Sequence, residues 1–215
     1  MEEELEKLEN IINKDELVEK AHEVLIKIAS NVKNIEYFLN KHSDSLINYS
    51  EEYDFLTKIS LYNTKNDKFR LRLHIFLPGY SNRIHYHRWD YCSCILKGGY
   101  KHYIYCSENE FKINNYDIST LTPKCIQYEE TWNFYYLENS LLHSVEAKPN
   151  SISLFLKFPS VKDKFIVIDK KNNNYWWQYG AKQETKEEKQ NKILLPNRLE
   201  FFKQLIINQL KEKNE

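Results

Sequence analysis

From Asp15 onward the apolar residues Leu17, Ala21, Val24, Leu25, Ile28, Ala29 and Val32 recur three or four positions apart, which is the spacing of one helix face. Asp15 can accept the first free backbone N–H groups, so the pattern predicts an amphipathic helix capped there. The same reasoning predicts a second helix over 35–47 and a short first one within 2–12. From about Phe55 the period changes to two, with Leu71, Leu73, Ile75 and Leu77 alternating with Arg70, Arg72, His74 and Phe76. Alternate side chains share one face of a strand, but the period leaves open which face is inside. Turn pairs at Pro78-Gly79, Gly98-Gly99, Asn114-Asn115 and Pro149-Asn150 separate further short runs, the signature of an all-β barrel or sandwich. The β pattern stops near Gly180. Residues 181–192 are charged and nearly free of apolar side chains, a linker or a solvated helix. Pro196-Asn197 then opens a last helix with Leu199, Phe202, Leu205, Ile206 and Leu210 on one face. The organisation is therefore a helical segment over 1–50, a β-domain over 55–180, and a charged linker with an amphipathic helix over 181–215.

Charge and composition narrow the function classes. Lysine plus arginine total 31, as do aspartate plus glutamate, so no global field draws nucleic acid or an anionic membrane. The acidic N-terminus lacks the basic start and apolar run of a secretory signal, and no apolar stretch approaches membrane-spanning length. A cytoplasmic location is the expectation. Cys92, Cys94, Cys106 and Cys125 form no CxxC pair, which argues against a disulfide framework or a sulfur-rich zinc site. With 16 tyrosines, 11 phenylalanines and only 4 glycines, the strands are built from aromatic side chains that pack well on a pleated surface. Core packing is the expectation for Tyr175, Trp176 and Trp177.

Candidate chemistry is concentrated in GYSNRIHYHRWDYCSCILKGGY, residues 79–100. His85 and His87, two apart, can present nitrogen ligands to one ion. His143 is the histidine that the later strands offer as a third. Three buried imidazoles without a metal would leave ring nitrogens unsatisfied, at about 1–3 kcal/mol each. His102 reads as a packed or surface residue rather than a fourth ligand. Asp90 reads as a salt-bridge partner or a group hydrogen-bonded to a ligand histidine.

These positions resemble the first motif of the cupin superfamily: Gly, five residues, His-x-His, four residues, Glu, six residues, Gly. Gly79, His85, His87 and Gly99 stand at the expected places, and Cys92 stands at that of the glutamate. In the second motif His143 is kept, while Glu138, Ser140 and Ala147 replace its proline, glycine and asparagine. The resemblance implies a double-stranded β-helix, or jelly-roll barrel, with helices before and after it. The cysteine at the glutamate place, Asn66-Asp67-Lys68-Phe69 before a strand, and the run from Ser153 to Pro159 are similar to the three-histidine thiol dioxygenases of the cysteine dioxygenase type. Their cysteine–tyrosine cross-link cannot form in the same way, because Lys157 stands at the tyrosine position and Phe155 at that of the pocket histidine, and no arginine lies between Lys58 and Ser60 to take their substrate carboxylate. The His87-Arg88-Trp89-Asp90 run also resembles a group of small, little-characterised cupins.

The resemblance implies a metal-dependent enzyme. Fe(II) is the expected metal, with Zn, Ni or Mn as alternatives; the expected partners are O2 and a small molecule bearing a carboxylate or thiol. His85, His87 and His143 would hold the metal, with Cys92, His74 and Asp90 as catalytic or supporting groups. If Arg72, His74 and Phe76 face inward, Arg72 and Phe76, with Arg83 and Phe155, would bind substrate. The rival readings are a non-catalytic binding or sensor module and an oxygen-independent isomerase or lyase. The apolar faces of the outer helices also allow a homodimer.

Overall fold

The computed structural model describes residues 1–81, 83–107, 118–180 and 183–212. The Asn114-Asn115 turn and the first two residues of the charged linker lie outside the described residues. Four helices come first: α1 (Glu2–Lys7), α2 (Lys14–Ala29), α3 (Val32–Asn40) and α4 (Asp44–Ile47). Helix α2 starts one residue before Asp15, because the Asn13 side chain accepts the Glu16 N–H at 3.0 Å and takes the capping role. Asp15 instead lies in the first turn, where a negative charge suits the helix dipole. The helix expected over 35–47 is two helices, since the stretch from Asn40 to Ser43 has no apolar residue to hold a turn against the core.

Among the described residues twelve strands follow: β1 (Glu51–Glu52), β2 (Leu56–Asn63), β3 (Arg70–Phe76), β4 (Ile84–His85), β5 (Trp89–Lys97), β6 (Gly99–Ser107), β7 (Cys125–Glu130), β8 (Phe134–Leu137), β9 (Leu141–Ala147), β10 (Ser151–Ser160), β11 (Lys164–Asp169) and β12 (Asn174–Tyr179). They form two antiparallel sheets, ordered β1-β2-β3-β10-β5-β8 and β12-β11-β4-β9-β6-β7. The inner eight, β3-β10-β5-β8 against β4-β9-β6-β7, are the two four-stranded halves of a jelly roll. Two motif glycines are required by the backbone. Gly79 turns the chain at φ +90°, and a Cβ on Gly99 would fall 2.5 Å from the Glu129 carbonyl oxygen.

The first sheet is covered on its outer face. Leu71, Leu73, Ile75, Cys92, Cys94, Leu154 and Leu156 share one core with Leu25, Ile28 and Phe38 of the N-terminal helices. The last helix, α6 (Pro196–Lys211), adds Leu199, Phe202 and Ile206 to that core, so these apolar faces are satisfied within one chain. Ahead of it α5 (Lys186–Gln190) begins on a capping box of Thr185 and Glu188 inside the charged linker. The linker also pins the edge of the first sheet, where the Glu52 N–H donates to the Lys192 carbonyl at 2.8 Å and Arg198 grips the Glu52 carboxylate. Contrary to the sequence expectation, Tyr175, Trp176 and Trp177 are exposed, because β12 is an edge strand met by single side chains such as Arg83 over Trp176 and Lys164 over Trp177, and these aromatics join none of the buried clusters among the described residues. No helix is long and apolar enough to cross a membrane.

Candidate metal centre

Because the outer face of β3 takes Leu71, Leu73 and Ile75, its alternate residues Arg72, His74 and Phe76 point into the barrel. They line a cavity of about 110 Å³ together with Lys58, Trp89, Tyr91, Phe155 and the three histidines. A more open depression of about 470 Å³ lies elsewhere, between α3, α4 and the β2–β3 hairpin, away from the histidines.

The sheet pairing brings the histidines together. His85 in β4 lies directly across from His143 in β9. Strand β4 ends at His85, so His87 is carried by the irregular segment that follows rather than by the same strand. Ligand atoms of His85, His87 and His143 all lie within 4.8 Å of one another, and Nε2 of His87 is 2.9 Å from Nε2 of His143. Two nitrogens bound at right angles to one ion at about 2.1 Å would stand about 3.0 Å apart, so this spacing fits a shared cation. The Nδ1 of His85 is 2.8 Å from the Arg83 carbonyl, which leaves its Nε2 for the cavity.

Electrostatics favour the neutral, ligand-competent imidazole at all three. Burial lowers the His85 pKa to about 4. Burial, then the neighbouring histidines and, for His87, Lys58, hold His87 and His143 well below the usual histidine value. His74 is lowered in the same way by burial and by Lys58 and Arg72. Its ring stacks on Phe155 at 4.5 Å, and its Nε2 has no hydrogen-bond partner among the described residues.

His102, expected to be a packed or surface residue, is fully buried, and its Nε2 is 2.8 Å from Nδ1 of His143. On its far side Nδ1 faces the buried Glu129 carboxylate at 3.7 Å. Both positions are legible in hindsight: His102 shares a face with Tyr100 and Ile104 on β6, which pairs with β9. Tyr91 was also missed. It stands on the inner face of β5, edge-on to His87 at 5.1 Å, and its hydroxyl interacts with that of Tyr135. Continuing the period of two from His87 through Trp89 leads to it.

Three expected site residues stand elsewhere. Cys92 faces the helices in the outer core, with burial pushing its thiol up to about 12, because even positions of β5 turn away from the cavity. Asp90, on the same face, accepts from the Asn139 N–H at 2.7 Å and from the Tyr136 hydroxyl and pairs with Lys14 at 3.7 Å, so of its two expected roles it takes the salt bridge and ties β5 to the β8–β9 turn, not to a histidine. Arg83 pairs with Asp169 at 3.0 Å and lies over Trp176, outside the cavity lining.

No protein-family model matches the chain, and no curated protein matches it. Among solved structures it is similar to KdgF from Halomonas sp. (12% identity, 56% of this chain and 90% of that chain, TM-score 0.40) and to an RmlC-like cupin from Shewanella frigidimarina (14% identity, 53% and 86%, TM-score 0.39). It is also similar to the DMSP lyase DddQ from Ruegeria pomeroyi (10% identity, 52% and 51%, TM-score 0.38). The strand order of the two sheets carries the assignment of a jelly roll, and the pairing of β4 with β9 sets His85 opposite His143.

Proposed function

We propose that the three-histidine centre of this cupin-type fold holds Fe(II) and serves a mononuclear oxygenase acting on a small molecule that bears a carboxylate or a thiol. The observation that carries the reading is the convergence of His85, His87 and His143, with no carboxylate or thiolate in the same cluster among the described residues. Three neutral imidazoles leave a divalent ion its full charge and up to three open positions, and iron bound this way supplies activation of dioxygen beside a coordinated substrate.

The chain's own residues do the rest. Phe76, Phe155, Trp89 and Tyr91 form an aromatic wall that limits the cavity to a small substrate and excludes bulk water. His74, neutral and unpartnered at Nε2, can take or give a proton there. Tyr91, Tyr135 and Tyr100 interact through their hydroxyls, with burial raising each pKa, so they remain proton donors throughout the neutral range. Because Cys92 faces away, the likeness to thiol dioxygenases does not extend to a cysteine beside the metal.

His74 favours a second reading, a metal-assisted isomerase or lyase in which it is the base and no oxygen is needed. The test is anaerobic loading of chelator-treated protein with Fe(II), followed by oxygen consumption across panels of small thiols and carboxylates. Substrate-dependent oxygen uptake with Fe(II), absent with Zn(II), is the expected result. Product formation without oxygen overturns the oxygenase reading in favour of the second, and no turnover under either condition overturns both.

A further inference from the structure

Arg72 carries an unmatched charge. Arg72 is 8% exposed and lines the cavity, and its buried Nε has no hydrogen-bond partner among the described residues. Leaving a buried guanidinium unpaired costs several kcal/mol, and native structures seldom leave such donors idle without a role. The nearby Glu51 carboxylate attracts Arg72 through space but makes no hydrogen bond to it, and is shared with Lys58 at 3.4 Å and Lys192 at 2.9 Å. Lys192 in turn binds Glu184 at 2.7 Å. Lys58, Lys192 and Arg72 together face two carboxylates, Glu51 and Glu184, so one positive charge is left over beside the cavity.

The surroundings specify what would fill it. Trp89 Nε1, another donor on the cavity lining, is also buried without a hydrogen-bond partner among the described residues, as is Nε2 of His74. Across β3 and β10 Arg72 lies opposite Phe155, whose ring stacks on His74 on one side and packs at 4.4 Å on Tyr91 on the other. Tyr91 leads to His87. The anion end and the metal end of the cavity are thus joined by the row His74, Phe155 and Tyr91, along whose edges a short apolar body can lie.

We propose that Arg72 is the anchor for a single carboxylate, and that the ligand of this cavity is a small monocarboxylic acid with a short apolar body directed toward the histidines. This commits the proposed function to carboxylates and rests on the same cavity being the reaction site. A guanidinium binds a carboxylate through two parallel N–H···O bonds, which a neutral amide of the same shape cannot reproduce. The one surplus charge matches one carboxylate at this end, and the carboxylates of Glu51 and Glu184 disfavour a second there.

The experiment is a ligand-observed NMR titration of the full chain, as purified and after chelation, with propanoate, its neutral isostere propanamide, and succinate. Propanoate is expected to bind at least tenfold tighter than propanamide, with succinate no tighter than propanoate in the chelated protein. Arg72→Met should reduce propanoate to the propanamide level while raising the melting temperature by about 2–4 °C, since an unmatched buried charge is removed. Equal propanoate binding by wild type and Arg72→Met overturns the assignment. A lowered melting temperature in that variant also overturns it, because Arg72 would then be a satisfied structural cation. His143→Ala separates this inference from the metal reading. Propanoate binding that survives loss of the metal supports the Arg72 anchor whatever the metal does, whereas binding that disappears with the metal assigns the acid to the ion and overturns the anchor.

Discussion

Nε2 of His102 lies 2.8 Å from Nδ1 of His143. For His143 to offer its Nε2 lone pair to a cation, its proton must sit on Nδ1, where it donates to His102. His102 then carries its own proton on Nδ1, which faces the Glu129 carboxylate at 3.7 Å. His102 therefore fixes the tautomer of His143, while the Glu129 carboxylate, at 3.7 Å too far for a hydrogen bond, favours the proton on the far nitrogen of His102 through its charge. His102→Phe should weaken metal affinity about 10–100-fold, and Glu129→Gln by less. Competition with a fluorescent chelator measures this, and unchanged affinity in both variants would remove the relay.

Acid should destabilise the metal-free protein in a defined window. The folded-state pKa values of His74, His85, His87 and His143 are all depressed, that of His85 to about 4. The unfolded chain, titrating near 6.5, therefore binds more protons as pH falls below that value, and stability drops. Each histidine adds at most about 1.4 kcal/mol per pH unit down to its own folded value. Urea midpoints of chelated protein at pH 7.5, 6.5, 5.5 and 4.5 should decline below 6.5; a flat profile would contradict buried neutral imidazoles.

Cys92 should matter to packing and not to the metal. Its side chain is fully buried among Leu71, Leu156 and the helix residues of the outer core. Cys92→Ala should leave metal stoichiometry unchanged and cost about 1 kcal/mol through the small cavity left behind. Metal analysis beside thermal melts would expose the error if the ion were lost while the fold persisted.

Lys157 is a buried cation on the inner face of β10, with its Nζ over the Trp89 ring at 5.2 Å. Burial, then Arg70 and Arg72, lowers its pKa to about 7. The unfolded chain binds this proton up to about 10.5 while the folded one releases it near 7, so the penalty is complete below pH 7 and fades as pH rises toward 10.5. Lys157→Met should therefore stabilise the protein by about 1–3 kcal/mol at pH 7 and by progressively less up to pH 10. Denaturation at both ends of that range checks it; an equal gain at each pH would show that the lysine's charge is not the cause.

The apolar stripe of α2 and the alternation along β3 were readable from the chain, because helix and strand periods depend only on spacing along the backbone. The pair His85 and His87 and the distant His143 were readable as a ligand set for the same reason, through residue type and interval. Which face of β3 is inside was not readable, since a period of two is symmetric until a second layer covers one face. Packing of α2, α3 and α6 on Leu71, Leu73 and Ile75 decided it, and so turned Arg72 and His74 toward the histidines. The same layer drew Cys92 away from the position its place in the motif implied. His102, Glu129 and the Lys58–Glu51–Lys192 network join residues far apart in sequence. Only sheet pairing and the returning C-terminal segment bring them together, because hydrogen bonds and charges act over a few ångströms of space and carry no trace in local sequence.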